Sequence, residues 1–238
     1  MANIKRMKEG GKGGKLGHSN MTHFGYTEEV KEATRAIARA LIVIAIGLFA
    51  GCAASEPLDV RDGDVIFHTS TSSQSEALRR AMGSRYTHMG VIFLRDGQPF
   101  VYEAVGPVKW TPLEEWIARG VNGKFVVKRL SSDSVVLDSE ALESLKHAAQ
   151  KHEGKPYDLY FEWSDDRIYC SELVWKIYNE VLGVEIGALE RFEDFDLSDP
   201  LVAAKLKERF GDSVPLEEIV ISPAAMFESD VLETVYDR

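Results

Sequence analysis

Two residues distant in the chain have the types needed for nucleophilic chemistry, Cys170 and His88. Cys170 stands in Tyr169-Cys170-Ser171-Glu172-Leu173-Val174. It opens a segment whose apolar positions, Leu173, Val174, Ile177, Val181 and Leu182, recur at helical spacing. The first turn of a helix has N–H groups without intrahelical partners, and the macrodipole favours an anion there. That placement lowers a thiol pKa and raises the thiolate fraction. Position alone does not separate a nucleophile from a core cysteine, since buried cysteine is common. Ser171 is the neighbouring alternative, but a thiol is activated at neutral pH far more readily than a hydroxyl.

His88 lies in Tyr86-Thr87-His88-Met89-Gly90-Val91, on an expected strand, where a lone histidine serves packing as readily as catalysis. Hairpin geometry supplies a third group. Asp96-Gly97 between two apolar runs is a strong short-range hairpin signal. With a two-residue turn, paired positions sum to 193, so Gly90 faces Glu103 and His88 faces Val105. His88 and Glu103 are then diagonal neighbours on one face, about 7–8 Å apart, and Gly90 leaves room between them. A carboxylate there can fix the imidazole tautomer and stabilise imidazolium. A three-residue turn breaks this register, and a four-residue turn keeps it.

The elements that must position these groups follow from turn and capping signals. Val65-Ile66-Phe67 is a short buried strand after the Asp62-Gly63-Asp64 turn. Ser73 to Met82 forms a helix stopped by Gly83, and Tyr86 to Leu94 pairs with Phe100 to Val105 across the hairpin. Thr111-Pro112-Leu113-Glu114 reads as a helix start with a capping box and proline at the first helical position. Lys124 to Leu130 is a further strand. Helices are expected over Asp138–His152, from Cys170 to Gly183, and from Ser198-Asp199-Pro200 to Gly211. Ile219-Val220-Ile221 reads as the last strand. Strands gathered in the first half with irregularly placed helices indicate an α+β fold, an antiparallel sheet packed against helices.

In chain order the motifs are Gly63-Asp64-Val65-Ile66-Phe67, Tyr86-Thr87-His88-Met89-Gly90-Val91, Val101-Tyr102-Glu103-Ala104, Gly154-Lys155-Pro156-Tyr157-Asp158 and Tyr169-Cys170-Ser171-Glu172-Leu173-Val174. This order resembles the YiiX/YaeF-type permuted papain-fold cysteine hydrolases, relatives of the NlpC-type cell-wall peptidases. The likeness runs from about Leu58 to Tyr236. Papain-like enzymes present cysteine before histidine; here histidine comes first, as circular permutation requires. The resemblance implies a circularly permuted papain-like fold, with Cys170 as nucleophile, His88 as base and then acid, and Glu103 as orienter. It also points to Tyr157, Gln74 and His68 as groups that line the cleft or support the oxyanion; the alternative is buried packing for Tyr157, and a solvated or locally packed place for His68 and Gln74. The backbone N–H of Cys170, opening its helix, is a natural oxyanion donor.

The first fifty-odd residues carry a different signal. Ala40 to Gly51 is an uncharged apolar run after Arg35 and Arg39. Twelve helical residues rise about 18 Å, short of a bilayer core of about 30 Å. A basic flank, a short apolar run and small residues at its end are the order of a secretory signal. Leu48-Phe49-Ala50-Gly51-Cys52 resembles a bacterial lipoprotein signal, although Phe49 replaces the usual smaller aliphatic. The expectation is a leader over 1–51, with Met21 as an alternative start, and a mature domain over 52–238 lipidated at Cys52. Cys52 and Cys170 are the two cysteines, and each has its own context, so no disulfide is expected. The implied location is the bacterial cell envelope, on the periplasmic side, with a membrane anchor at Cys52.

Net charge is −10, and residues 1–51 carry eight Lys/Arg against four Glu, leaving −14 on the body. An acidic body excludes non-specific nucleic-acid binding, which needs Lys and Arg to neutralise phosphates. His147 and His152 are five apart, a poor spacing for a shared ligand face, and no metal or other cofactor is expected. The acidic run Glu190 to Asp199, with Phe192 and Phe195 interleaved, is either a solvated loop pinned by two aromatics or a flap favouring a cationic substrate.

The expected activity is hydrolysis of an amide or peptide bond through a thioester. Lipid acyl hydrolysis or acyl transfer by the same three groups is the alternative within chemistry. A non-catalytic binding domain of papain-like shape is the alternative outside it.

Overall fold

The apolar runs of the first half become one antiparallel sheet. The computed structural model describes residues 58–133 and 135–238, with Glu32 besides. The leader, Met21 and Cys52 lie outside the described residues. Strands β1 (Asp64–His68), β2 (His88–Arg95), β3 (Gln98–Ala104), β4 (Val108–Pro112), β5 (Val126–Leu130) and β8 (Leu232–Asp237) lie in the order β4-β3-β2-β1-β5-β8. Every neighbouring pair is antiparallel. Among the described residues no helix is long and apolar enough to cross a membrane.

The β2–β3 hairpin has the two-residue turn. Asp96 and Gly97 have φ of 51° and 74°, the positive values a type I′ turn demands. Val91 therefore faces Tyr102, and Arg95 faces Gln98. Alternate residues then serve opposite faces. Val65, Phe67, Met89, Val91 and Phe93 bury one face against helices α3 (Ser139–Gln150) and α4 (Cys170–Leu182). Ile66, Ile92, Val101 and Val127 bury the other against Leu113 and Trp116 of helix α2 (Leu113–Ala118). Because both faces are covered, β1 is buried along its whole length.

Local signals place the helix ends. Asp138 accepts the Ala141 N–H at 2.9 Å to start α3, and Gly183 at φ 65° stops α4. Helix α1 (Ser75–Met82) ends on Gly83, and α5 (Pro200–Phe210) starts on Asp199, which accepts the Leu201 N–H at 2.8 Å. Helices α1 and α5 pack on each other.

Two expectations are corrected. Thr111 does not cap a helix: it lies inside β4, and Pro112 occupies the N-cap position with no side-chain hydrogen bond. A strand pairing with β3 claims Thr111 before the helix begins, so its hydroxyl is free for another partner. Ile219-Val220 forms a strand, β7, but it pairs only with the two-residue β6 (Glu190–Arg191). The last strand is β8, reached through the short helix α6 (Pro223–Phe227), and it closes the sheet edge against β5.

Candidate active site

Cys170 is the first residue of α4, a free thiol almost wholly buried. It hydrogen-bonds with the His88 side chain and with the backbone of Met89 and Ser171. Burial pushes the thiol up, but these bonds and the charge of His88 outweigh it and hold Cys170 below its ordinary value. Burial likewise pulls His88 down, and its bonds to Cys170 and Glu103 overcome that and raise it to about 9. His88 Nε2 lies 2.6 Å from Glu103 Oε2, so Nδ1 is the ring nitrogen left for the thiol. The paired directions describe a thiolate–imidazolium couple.

Glu103 is fully buried in β3. Burial pushes its carboxyl up, yet His88, Thr111 and Arg119 together bring it to about 2. Oε1 accepts the Thr111 hydroxyl at 2.6 Å and is bridged by the Arg119 guanidinium. Both carboxylate oxygens are therefore engaged, and the charge is fixed beside His88. Gly90 makes this approach possible. A Cβ there would meet Val101 Cγ1 at 2.5 Å, the Tyr102 carbonyl oxygen at 2.8 Å and Glu103 Cβ at 3.3 Å.

Thr111 and Arg119 escaped the sequence reading. Glu103 faces Lys109 across β3–β4, so Thr111 is its diagonal neighbour by the same rule that links His88 to Glu103. Treating Val108–Pro112 as a strand would have found Thr111. Arg119 has no sequence signal; it reaches Glu103 because α2 folds across the sheet face.

His68 faces His88 directly across β1–β2. Its ring stacks on Trp116 at 3.9 Å and 16°, and it is buried. Burial first, then the charges of His88 and Arg119, lower it to about 3. It is neutral and backs His88; it does not line the groove beside the thiol. Of its two expected places, the cleft or local packing, it takes the second.

Gln74 and Tyr157 do reach the thiol end of the groove. Gln74 Nε2 donates to the Tyr157 hydroxyl at 3.4 Å, and Gln74 Oε1 accepts from Arg209 Nη2 of α5 at 3.2 Å. Tyr157 also hydrogen-bonds with Cys170, and burial with the thiolate's charge holds it well above its ordinary value. Arg209, again unsignalled in the sequence, fixes the amide so that its donor end points at the Tyr157 hydroxyl. Ser171 is excluded as nucleophile by its partner: its buried hydroxyl donates to the Ile221 carbonyl at 2.7 Å.

The comparisons with known proteins agree with this fold. The family described as permuted papain-like amidase enzyme, YaeF/YiiX, matches residues 59–236. The chain belongs to this family of permuted papain-like amidases. It is 50% identical over 173 residues to the uncharacterized protein YiiX of Escherichia coli K12, covering 73% of this chain and 84% of that protein. A crystal structure described as metalloprotein yiiX from Escherichia coli O157:H7 superposes with a TM-score of 0.72 at 50% identity, covering 75% of this chain and 97% of that one. The permuted amidase fold therefore accounts for histidine preceding cysteine. The metalloprotein description concerns that relative. Here, among the described residues, no three His, Cys, Asp or Glu side chains gather as a ligand set. Both Glu103 oxygens and His88 Nε2 already have partners. The residues of this site do not fit a metal, and no step is derived through one.

Proposed function

We propose that the protein is a cysteine hydrolase that cleaves an amide or peptide bond through a thioester. The observation that carries this is the continuous Cys170–His88–Glu103 chain of hydrogen bonds. Sγ of Cys170, as thiolate, attacks the carbonyl carbon. The developing oxyanion is met by the Cys170 N–H, the Gln74 Nε2 and the Tyr157 hydroxyl. His88, as imidazolium, gives its proton to the leaving nitrogen as the C–N bond breaks. Water then attacks the thioester while His88 takes its proton, and the acid product leaves with the thiol restored. Glu103 holds the imidazole orientation and offsets its positive charge throughout.

The expected setting is the cell envelope, with the domain tethered through lipidated Cys52. Loss of membrane attachment in Cys52→Ser supports the tether, and an unchanged membrane-bound fraction overturns it.

The deciding experiment for the chemistry is alkylation by iodoacetamide at about pH 6, where an ordinary thiol is almost wholly protonated. Stoichiometric modification of the folded protein at Cys170, at least about tenfold faster than a free thiol, is expected. Reaction no faster than a free thiol, or only after unfolding, overturns the nucleophile and leaves a binding domain of papain-like shape. Turnover of an amide panel by the wild type and its loss in Cys170→Ala test the reaction itself.

A further inference from the structure

The two residues that flank the nucleophile hold the same distant residue. The Ser171 hydroxyl donates to the Ile221 carbonyl at 2.7 Å, and the Ile221 N–H donates to the Tyr169 hydroxyl oxygen at 3.0 Å. All three residues are buried. Neither hydroxyl is among the groups that lower Cys170, which are His88 and the backbone of Met89 and Ser171. The mechanism above leaves both hydroxyls without a part.

Ile221 is a fixed point. It follows β7, where Val220 pairs with Glu190. It precedes Ser222, which caps α6 by accepting the Ala225 N–H at 3.0 Å and donates to Glu190 Oε2 at 2.6 Å. At the far end of α6 the Lys128 ammonium of β5 donates to the Phe227 carbonyl and lies 4.5 Å from the Phe227 ring centre. A cation there satisfies a carbonyl that the helix leaves unpaired. The segment from Ile221 to Phe227 is thereby anchored to the central sheet.

The start of α4 needs such a point. The first N–H groups of a helix have no intrahelical acceptor, and the Ser171 N–H is spent on Sγ of Cys170. The sulfur is therefore held between β2, which carries Met89 and His88, and the first turn of its own helix. That grip lasts while the turn keeps its distance from β2. Glu172 accepts the Tyr169 N–H at 3.3 Å, which ties the turn to its own helix and sets its shape, not its place. The two bonds to Ile221 tie it to a separate block, one on each side of Cys170.

We infer that Tyr169 and Ser171 are positioning residues, which brace Cys170 on Ile221 and so keep the Ser171 N–H and His88 on the sulfur. This rests on the cysteine-hydrolase reading above and deepens it. The brace touches no substrate and carries no proton; it fixes a distance. Removing either hydroxyl leaves its buried backbone partner unpaired. The turn and the segment at Ile221 then separate, and Cys170 moves with the turn.

The test is the pH profile of iodoacetamide alkylation at Cys170, followed by mass spectrometry on the full-length protein. It compares the wild type with Ser171→Ala, Tyr169→Phe and the double variant, with melting temperatures taken in parallel. The midpoint of the profile, unlike the rate at one pH, does not scale with the amount of folded protein. Each single variant is expected to raise the midpoint by about one pH unit, which is about tenfold less thiolate below it. The double variant is expected to shift by less than the sum of the two, the mark of groups that act through one shared partner. If Ser171→Ala does not fold, Tyr169→Phe, which keeps the ring against Phe161, carries the test. An unmoved midpoint in either folded variant, whatever its melting temperature, makes that hydroxyl structural and overturns the brace. Shifts that add in full overturn the shared role of Ile221. A wild-type midpoint in the ordinary thiol range overturns the cysteine-hydrolase reading itself, and the brace with it.

Discussion

His88 Nε2 lies 2.6 Å from Glu103 Oε2, across the diagonal that Gly90 leaves open in the β2–β3 hairpin. This contact and the bond to Cys170 raise His88 to about 9 in spite of its burial. The hydrogen bond between the two groups works for both charges against burial, raising His88 and lowering Cys170, since a cation held beside a thiol lowers its pKa.

Replacing Glu103 by Gln keeps the shape and removes the charge. His88 then loses one of the two interactions that raise it, so the alkaline limb of kcat/KM should move down from about 9. The maximum rate should fall roughly 10²-fold or more, as for a general acid–base that has lost its orienting partner. An unchanged limb in a pH–rate profile would show that Glu103 does not act through His88.

The pH dependence of alkylation and of turnover should part company at high pH. Cys170 is lowered, so thiolate is present from below the ordinary thiol range upward. His88 is raised, so it can protonate a leaving amine only below about 9. Amide turnover is expected to decline above about 9 while alkylation continues unabated. The same sign governs stability. The contribution of protonated His88 is complete below its ordinary 6.5 and is lost as pH rises through about 9. Thermal melts across that range should show the loss in the wild type and not in His88→Gln.

Gly90→Ala should damage both fold and site. The added methyl would lie 2.8 Å from a backbone carbonyl oxygen and 2.5 Å from Val101 Cγ1, an overpacking worth about 1–3 kcal/mol. Relief by moving β3 displaces Glu103 from His88. A lower melting temperature together with a downshifted alkaline limb is expected. A melting change without a limb shift would mean that the strand yields elsewhere.

Gln74→Ala separates oxyanion support from thiol activation. Gln74 touches Tyr157 and Arg209 and is not among the groups that lower Cys170. Losing one oxyanion donor costs roughly 10²–10³ in kcat, while the iodoacetamide rate should hold. If both rates fall together, Gln74 acts on the thiol instead.

Arg119→Met tests the far side of the carboxylate. Glu103 is lowered to about 2, so the stability it contributes is complete above its ordinary 4.5 and is lost as pH falls through about 2. Removing a guanidinium that helps to lower it should reduce the melting temperature near neutrality. The gap between variant and wild type should close as pH approaches about 2. A gap that is constant across pH would make Arg119 a packing residue only.

Much of this site is legible in the sequence. Asp96-Gly97 specifies a type I′ turn because both residues must adopt positive φ. The turn fixes the register, and the register puts Glu103 beside His88. The apolar spacing after Tyr169, with Gly183 as its stop, likewise placed Cys170 at a helix start. These are local rules acting over a few residues, and the chain obeys them. Distant groups were decided only by tertiary structure. Thr111 carried a convincing capping pattern, but pairing with β3 overrode it, and the hydroxyl went to Glu103 instead. Arg119 and Arg209 reach Glu103 and Gln74 from α2 and α5, which no short-range pattern connects to the hairpin. Between the cleft and local packing, only the stacking of Trp116 on its ring decides for His68. The acidic loop left a pinned solvated loop and a charged flap both open; the fold turns Phe192 and Phe195 into the groove lining, while Asp194 and Asp196 accept hydrogen bonds within the loop. Periodicity and turn chemistry fix which side chains share a face; only the packing of one element on another decides what that face meets.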